Sequence, residues 1–464
     1  MKTSMRQGRL GAMTVLCLAL GACSLAPTYH RPATPVPDQF PDTATTAASA
    51  ALPAWRDVFL DQRLQALIDL ALHNNRDLRI AVQRVEAARA QFGIAQSDRL
   101  PAIGLQGTES ATHLPPQMRN GGPDSSAVNR SFIAGVGMTA FELDFFGRVR
   151  NLSESAYQQY LSTEEARRTV QLGLIAQTAE AYFTLRSAQS LRDLTEKTLQ
   201  ARQGTLQLVQ AQFNAGVASD LDLAQAKGQV DSVRANLVAT ERAMSQANNA
   251  LALILGTPVP DGLPAALPFG RDQLVQSIPA GLPSQLLERR PDIIGAEHDL
   301  KSADARIGAA RAAFFPRITL TGLLGFASPE LGSLFGSGTR YWQFAPQVQT
   351  PLFAGGVKGG LDLAKANQKI AVASYEKAIQ TAFREVADGL AGEATYSRQL
   401  DAVRATEASA LQALKLSQGR YETGVDSFLQ VQTAQVNLYA VQQQFIQLGA
   451  AALANRVDLY KARG

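Results

Sequence analysis

One pattern is written twice in this chain, at a fixed distance. The stretch "RIGAARAAFFPRITLTG" runs from Arg306 to Gly322, and a weaker copy, "QFGIAQSDRLPAIGLQG", runs from Gln91 to Gly107. Asp77 and Asp292, Gly93 and Gly308, Pro101 and Pro316, and Ile103 and Ile318 are each 215 positions apart. In both copies a proline separates a helical period from an alternating one, because proline disfavours helix at the residue before it. A second set of matches follows at an offset of 208: Phe213, Gly216, Val217, Ser219 and Leu221 with Tyr421, Gly424, Val425, Ser427 and Leu429. The chain therefore reads as a tandem duplication, each unit being helix, strand, strand, long helix, helix.

Period and breakers assign the parts. Residues 1–22 form a signal peptide, with Lys2, Arg6 and Arg9 ahead of the short apolar run Leu10–Leu20. Residues 23–56 form an extended segment rich in Pro, Thr and Ala. The first repeat spans 57–255, with strands near 102–113 and 130–145 and long helices near 147–214 and 219–255. A Pro-rich linker covers 256–282. The second repeat spans 283–464, with strands near 317–327 and 340–353 and long helices near 357–422 and 427–461. In the last strand Trp342, Phe344, Val348 and Leu352 alternate with Gln343, Gln347 and Gln349, which gives one apolar and one wet face. Tyr341, Trp342 and Phe344 read as an aromatic girdle or as simple packing between barrel and lipid, the girdle favoured. In "FELDFFGRVR", Glu142 and Asp144 alternate with Phe141, Leu143 and Phe145. Arg148 and Arg150 stand ready to pair the acids.

These elements bound the architecture. A helix of roughly 65 residues is about 100 Å long, which suits a tube or a coiled coil. Leu199, Leu206 and Phe213 step by seven, as in a coiled-coil seam. No later stretch has the ~18 consecutive apolar residues of a spanning helix, so a membrane would have to be crossed by strands. Four strands cannot close a barrel, and open edges are intolerable in lipid, so spanning strands require several chains to share one barrel.

Composition removes other classes. The formal charge of +4 falls to +1 without the three leader cations, so nucleic-acid binding loses its electrostatic basis. His30, His73, His113 and His298 have no metal-ligand spacing, and no catalytic or phosphate-loop motif is present. No catalytic residue, metal or cofactor is expected. The leader ends in "LGAC", Leu20–Cys23, which resembles a bacterial lipobox. That resemblance implies cleavage before Cys23 and covalent lipid on it, a diacylglycerol and an N-acyl chain. Ser24 after the cysteine implies passage to the outer membrane.

The stretches "WRDVFLDQRLQALIDLALHNNRDLRIAVQRVEAARAQFGIAQSDRLPAI", "FELDFFGRVR", "GLPSQLLERRPDIIGAEHDLKSADARIGAARAAFFPRITLTG" and "YETGVDSFLQVQTAQVNLY" resemble the outer-membrane efflux proteins. They are most similar to the lipidated OprM/NodT-like branch of the TolC-like factors. The resemblance implies a mainly α protomer with a β-barrel part: four strands in a trimeric twelve-stranded outer-membrane β-barrel, and long helices in a periplasmic α-helical barrel. It implies a homotrimer held in outer-membrane lipid. It also implies a periplasmic membrane-fusion adaptor and an inner-membrane RND-type transporter as partners, with no nucleic acid. The expected function is a passive exit duct for small amphiphilic compounds such as drugs. The alternatives are the outer-membrane part of a type I protein secretion system, or a periplasmic tether lipoprotein without a pore.

The resemblance also assigns sites. The turns "FNAGVASDL" and "YETGVDSFL" place Gly216, Val217 and Ser219, and Gly424, Val425 and Ser427, at tips that meet the adaptor. Gly ends a helix, Ser caps the next, and the exposed valines are left for docking. The periplasmic gate is expected at Leu429, with Thr433 where the branch places an acid. Tyr421 and Asp222 match two members of a closing network whose arginine position holds Asp426.

Overall fold

The computed structural model describes residues 24–40, 54–119, 122, 125–270, 273–274 and 283–464. The leader and Cys23 lie outside the described residues, as does part of the Pro-rich linker. The helices are α1 Trp55–Val58, α2 Gln62–Asn74, α3 Arg76–Ser97, α4 Arg148–Asn214, α5 Asp220–Leu255, α6 Pro283–Arg289, α7 Pro291–Ala312, α8 Gly355–Glu422 and α9 Phe428–Arg463. The strands are β1 Ile103–His113, β2 Val128–Glu142, β3 Arg317–Ser328 and β4 Arg340–Gln349. Two long helices, α4 with 67 residues and α8 with 68, each precede one of 36. The described residues form two compact units. One lies within 24–33, 84–164 and 295–376; the other lies within 34–83, 165–294 and 377–464.

The first unit carries the sheet. Its strands run in the order β1-β2-β3-β4, all antiparallel, so β1 and β4 are edges with unpaired backbone groups. Register decides the faces. Ile103, Leu105, Val136, Met138, Leu324, Trp342, Phe344 and Val348 share one face through the pairs Leu105–Val136, Val136–Leu324 and Leu324–Trp342. Gln106, Thr108, Thr319, Gln343 and Gln347 share the other. A bulge in β2 keeps this division: the register shifts between Met138 and Phe141, so that Phe141 rather than Ala140 faces Leu320. Ala140 takes a φ of 51° there, and its N–H donates to Thr321 Oγ1 at 3.2 Å.

Two strands end earlier than their alternation predicts, β2 at Glu142 rather than 145 and β4 at Gln349 rather than 353. Past Glu142 the chain turns to start α4. Glu142 accepts from Arg148 at 2.6 Å and from Arg317 at 2.6 Å, and Asp144 accepts from the Arg150 backbone N–H at 2.7 Å. The acids thus secure the strand end and the helix start. β4 stops ahead of Pro351, which has no N–H to offer a ladder. Tyr341 is a correction to the expected girdle: it pairs with Gly325 on the face opposite Trp342 and Phe344, and its hydroxyl donates to Gln343 at 3.3 Å.

The N-terminal segment packs inside this unit. Ser24 Oγ donates to Asn151 at 3.0 Å, and Arg311 donates to the Leu25 carbonyl at 2.9 Å. A Cβ at Gly308 would sit 2.8 Å from the Ala26 Cα, which explains a glycine in mid-helix. Further along, Arg31 and Lys301 bind Glu297 at 2.8 and 2.9 Å. Burial opposes the charge of Glu297, but Lys301 and Arg31 hold its carboxyl below the usual range.

The second unit holds its core where the short helices meet the long ones. Phe59, Leu64, Leu67, Ile68, Leu251, Leu255 and Tyr182 are fully buried. Asp61 caps α2 by accepting from Arg63 N at 2.9 Å and takes the Tyr182 hydroxyl at 2.7 Å. The break between α2 and α3 is a working cap: Asn75 accepts from Leu78 N at 2.9 Å and donates to the Ile254 carbonyl at 2.8 Å.

Candidate docking and gating site

Helices α4 and α5, and helices α8 and α9, are joined by near-identical turns. Gly216 takes φ 75° and Gly424 φ 74°, the left-handed conformation that ends a helix. Each turn closes with the same two bonds, Gly216 N to Phe213 O and Val217 N to Gln212 O at 2.9 Å, and Gly424 N to Tyr421 O and Val425 N to Arg420 O at 3.0 and 2.9 Å. Nothing lies within 4 Å of a Cβ built at either glycine, so only the backbone angle resists a side chain. Gly216→Ala and Gly424→Ala are each expected to cost about 1 kcal/mol, felt at the turn rather than in the core. Amide hydrogen exchange at the two turns should accelerate about fivefold, and Gly→Asn should restore part of the protection.

The turns then diverge. Ser219 heads α5 with a full capping box: its Oγ accepts from Asp222 N at 3.1 Å, and the Asp222 carboxylate accepts from Ser219 N at 3.1 Å. Ser427 occupies the matching position before α9 but makes no side-chain cap, which corrects the expected symmetry. Gln430 stands where the first copy has Asp222; a glutamine can also serve a capping box, but here its backbone N–H goes to the Ser427 backbone carbonyl at 3.1 Å and the serine side chain caps nothing. Asp426 is instead held by Arg420, through bonds of 2.5 and 3.2 Å. The second turn is thus fixed by an ion pair where the first is fixed by a cap.

Beneath the turns Val209, Leu223, Ala226, Phe428 and Val431 form a buried cluster, with Leu206, Phe213, Leu414 and Tyr421 packed around it. Val217 and Val425 take no part in it and remain 78% and 61% exposed. The Tyr421 ring lies tilted against Phe428, centroids 5.6 Å apart, and its hydroxyl donates to Gln212 at 2.6 Å. Its expected partner Asp222 is engaged by Ser219. Burial first, and the Asp222 charge second, push the Tyr421 phenol above its ordinary value. Leu429, Thr433 and Val436 form an exposed row on the other side of α9, where Thr433 Oγ1 donates back to the Leu429 carbonyl at 2.9 Å. The tyrosine and the leucine therefore lie on different faces of one hairpin. Gln212 and Arg420 were not singled out from sequence. For Arg420 the local signal is Asp426 six residues on; Gln212 has no such signal, because its partner Tyr421 is 209 positions away.

The sheet is the other functional surface. On its apolar face Leu105, Leu324 and Trp342 are 88%, 71% and 73% exposed, while the opposite face presents Gln and Thr. No described helix is long and apolar enough to cross a membrane. A four-stranded sheet with one greasy face, one wet face and two open edges has the pattern of strands that cross an outer membrane. Such a sheet with long helical hairpins defines a protein of the outer-membrane channel class.

Comparison with known proteins gives the family. The chain belongs to the outer membrane efflux protein family, whose pattern it matches over residues 67–257 and 282–464. It is 43% identical over 460 residues to the toluene efflux pump outer membrane protein TtgC of Pseudomonas putida, covering 98% of this chain and 94% of that one. It is 42% identical over 467 residues to the outer membrane protein OprJ of Pseudomonas aeruginosa, covering 99% and 96%. The cation efflux system protein CusC of Escherichia coli is 40% identical over 456 residues, covering 97% of each chain. Among solved structures, a membrane protein from Pseudomonas aeruginosa aligns with a TM-score of 0.89 at 41% identity, covering 95% of this chain and all of that one. The MtrE outer membrane channel of Neisseria gonorrhoeae aligns with a TM-score of 0.85 at 38% identity, covering 95% and 98%. The protein is an outer-membrane channel of an efflux pump, a transport protein and not an enzyme.

Proposed function

We propose that three copies of this chain close one twelve-stranded barrel and form a passive duct for small amphiphilic compounds. The observation that carries this reading is the sheet. Its two edges demand partner strands, its apolar face suits lipid, and its Gln/Thr face suits a wet lumen. A second copy is the simplest source of a matching edge, and four strands per chain make twelve in a trimer. Relatives named for toluene and antibiotic efflux favour amphiphilic substrates, and one named for cations marks the other substrate class in the family. The duct takes its cargo from a periplasmic membrane-fusion adaptor and an inner-membrane RND-type transporter.

Cys23 carries the lipid anchor in this reading. Two acyl chains or more, at about 0.8 kcal/mol per buried CH₂, hold a protein stably on a membrane. The bonds from Ser24 to Asn151 and from Arg311 to Leu25 support it, because they fix the residues after Cys23 in the unit that carries the sheet. The paired turns are the docking tips for the adaptor, with Gly216, Ser219, Gly424 and Ser427 shaping them and Val217 and Val425 offering apolar contact. Leu429 and Thr433 form the gate ring of the assembled duct, and Tyr421 and Asp222 set the hairpin behind it.

Photo-crosslinking amino acids placed at Val217 and at Val425 in living cells test the docking role. Capture of a periplasmic adaptor at both positions is the expected result. Correct outer-membrane insertion with nothing captured at either position would reduce the tips to bare turns. Native mass measurement of the detergent-extracted protein should give three chains, and planar bilayers should show conductance.

A further inference from the structure

Along α4 the seam positions step Leu199, Arg202, Leu206, Val209, Phe213, at the three-four spacing of a heptad. Four of the five are apolar, and one is arginine. Arg202 is 4% exposed, deeper than the half-buried Leu199, Leu206 and Phe213 around it. Its Nε and Nη1 are shut off from solvent and have no hydrogen-bond partner among the described residues. A lone buried cation is among the costliest groups a protein can carry, and a satisfied partner is the rule. Arg290, buried to a similar depth, meets two carboxylates; Arg202 meets none among the described residues.

The second repeat shows that the scaffold does not ask for this charge. At the offset of 208 the matching residue is Ala410. Arg202 is therefore a feature of one copy, not a demand of the helix hairpin.

The guanidinium lines a cavity of about 300 Å³ between α4, α8 and α9, all within the second unit. That is room for an anion with several waters, each filling about 30 Å³. The lining contains a second cation, Lys197, and neutral donors at Thr205, Gln435 and Tyr439. It contains no carboxylate. Two bonds already stitch the walls: the Thr195 and Tyr439 hydroxyls meet at 2.8 Å, and Gln435 donates to Thr205 at 3.4 Å. Burial pushes the Arg202 pKa down to about 10, which still leaves it a full cation at neutral pH.

We propose that this cavity is a binding site for a small anion, a halide or a simple carboxylate, with Arg202 as its principal ligand and Lys197 as a supporting charge. The anion neutralises the seam cation and ties α4 to α9 below the turns. This site lies apart from the docking tips and the gate, so it stands or falls independently of the proposed duct.

The test uses the full chain in detergent at constant ionic strength, with bromide or acetate replacing a bulky sulfonate. For the wild type, the unfolding temperature should rise with either small anion and saturate. Arg202→Met should unfold at a higher temperature than wild type in sulfonate and show no response to either anion. Crystals soaked in bromide should give an anomalous peak within about 3.5 Å of the guanidinium. That peak needs no variant, so the proposal stays testable if Arg202→Met does not fold; Arg202→Ala, the residue of the matching position, is the second variant. Equal anion responses in wild type and variant would overturn it. So would a bromide-free cavity with a destabilised variant, because Arg202 would then be satisfied by a carboxylate from another chain.

Discussion

Leu324→Arg is expected to abolish assembly of the channel in the outer membrane, whereas Gln347→Arg should leave assembly intact. Leu324 sits in an interior strand, between Val136 and Trp342 on the apolar face. A lipid-facing arginine near the bilayer midplane costs about 2–4 kcal/mol per chain. A shared barrel would multiply that cost by the number of chains. Gln347 pairs with Thr319 on the opposite face, where a cation stays in water. Its effect should appear instead as a change in the conductance and ion selectivity of single channels. The readouts are the yield of folded protein in outer-membrane fractions and current in planar bilayers. Equal yields for the two variants would mean that the apolar face does not meet lipid.

The second large effect is expected at Arg290. Its side chain is 8% exposed and makes four bonds. Two run to the Asp292 carboxylate at 2.9 and 2.6 Å, one to Glu385 at 2.8 Å and one to the Ala462 carbonyl at 2.8 Å. Asp292 lies in the first turn of α7, Glu385 in α8 and Ala462 in α9, so one guanidinium joins three helices. Burial works against its charge, yet Asp292 and Glu385 hold its pKa above the ordinary value. Arg290→Met takes the guanidinium from both carboxylates and the carbonyl, and leaves Asp292, among the described residues, only the Ile293 N–H at 3.0 Å. Loss of one partner of a buried pair costs about 3–5 kcal/mol, and the partial exposure of the carboxylates places this case near the lower figure. Arg290→Lys should recover less than half, because an ammonium cannot serve the two-point fork and the other acceptors together. The contrast is Arg234→Met: Arg234 and Asp231 pair at 2.7 Å with both side chains more than half exposed. There the change should be about 0.5 kcal/mol or less. Thermal unfolding of the detergent-extracted protein ranks the three variants.

Much of this was legible in the residues because the signals are local. Pro101 and Pro316 mark the helix-to-strand handover in both copies, with α3 ending at Ser97 and α7 at Ala312. The alternation in "YWQFAPQVQ" gives the two faces of β4, since side-chain period is a property of the strand itself. Gly216 and Gly424 announce the turns, since few residues other than glycine accept their backbone angle. Tyr341 is legible in the same way: its odd position places it with the glutamines, on the face opposite Trp342. The missing side-chain cap at Ser427 is not legible in this way: Ser427 and Gln430 are residue types that can form a capping box, yet the Ser427 side chain makes no cap bond, and Arg420 holds Asp426 instead.

The duplicated order of elements, the strand faces, the turns and the family are written in the residues, since all of them rest on neighbours a few positions apart or on extended similarity. The long-range partners came only with the folded arrangement. It brought Arg290 to Glu385 and the Ala462 carbonyl, 95 and 172 positions away. It laid Ala26 against Gly308, gave Tyr421 to Gln212 rather than to Asp222, and left Arg202 in a seam without an acid. The physical reason is range. Helix period, strand alternation and turn chemistry are written within one or two turns of chain, while the pairing of a buried charge depends on which distant helix face is folded against it.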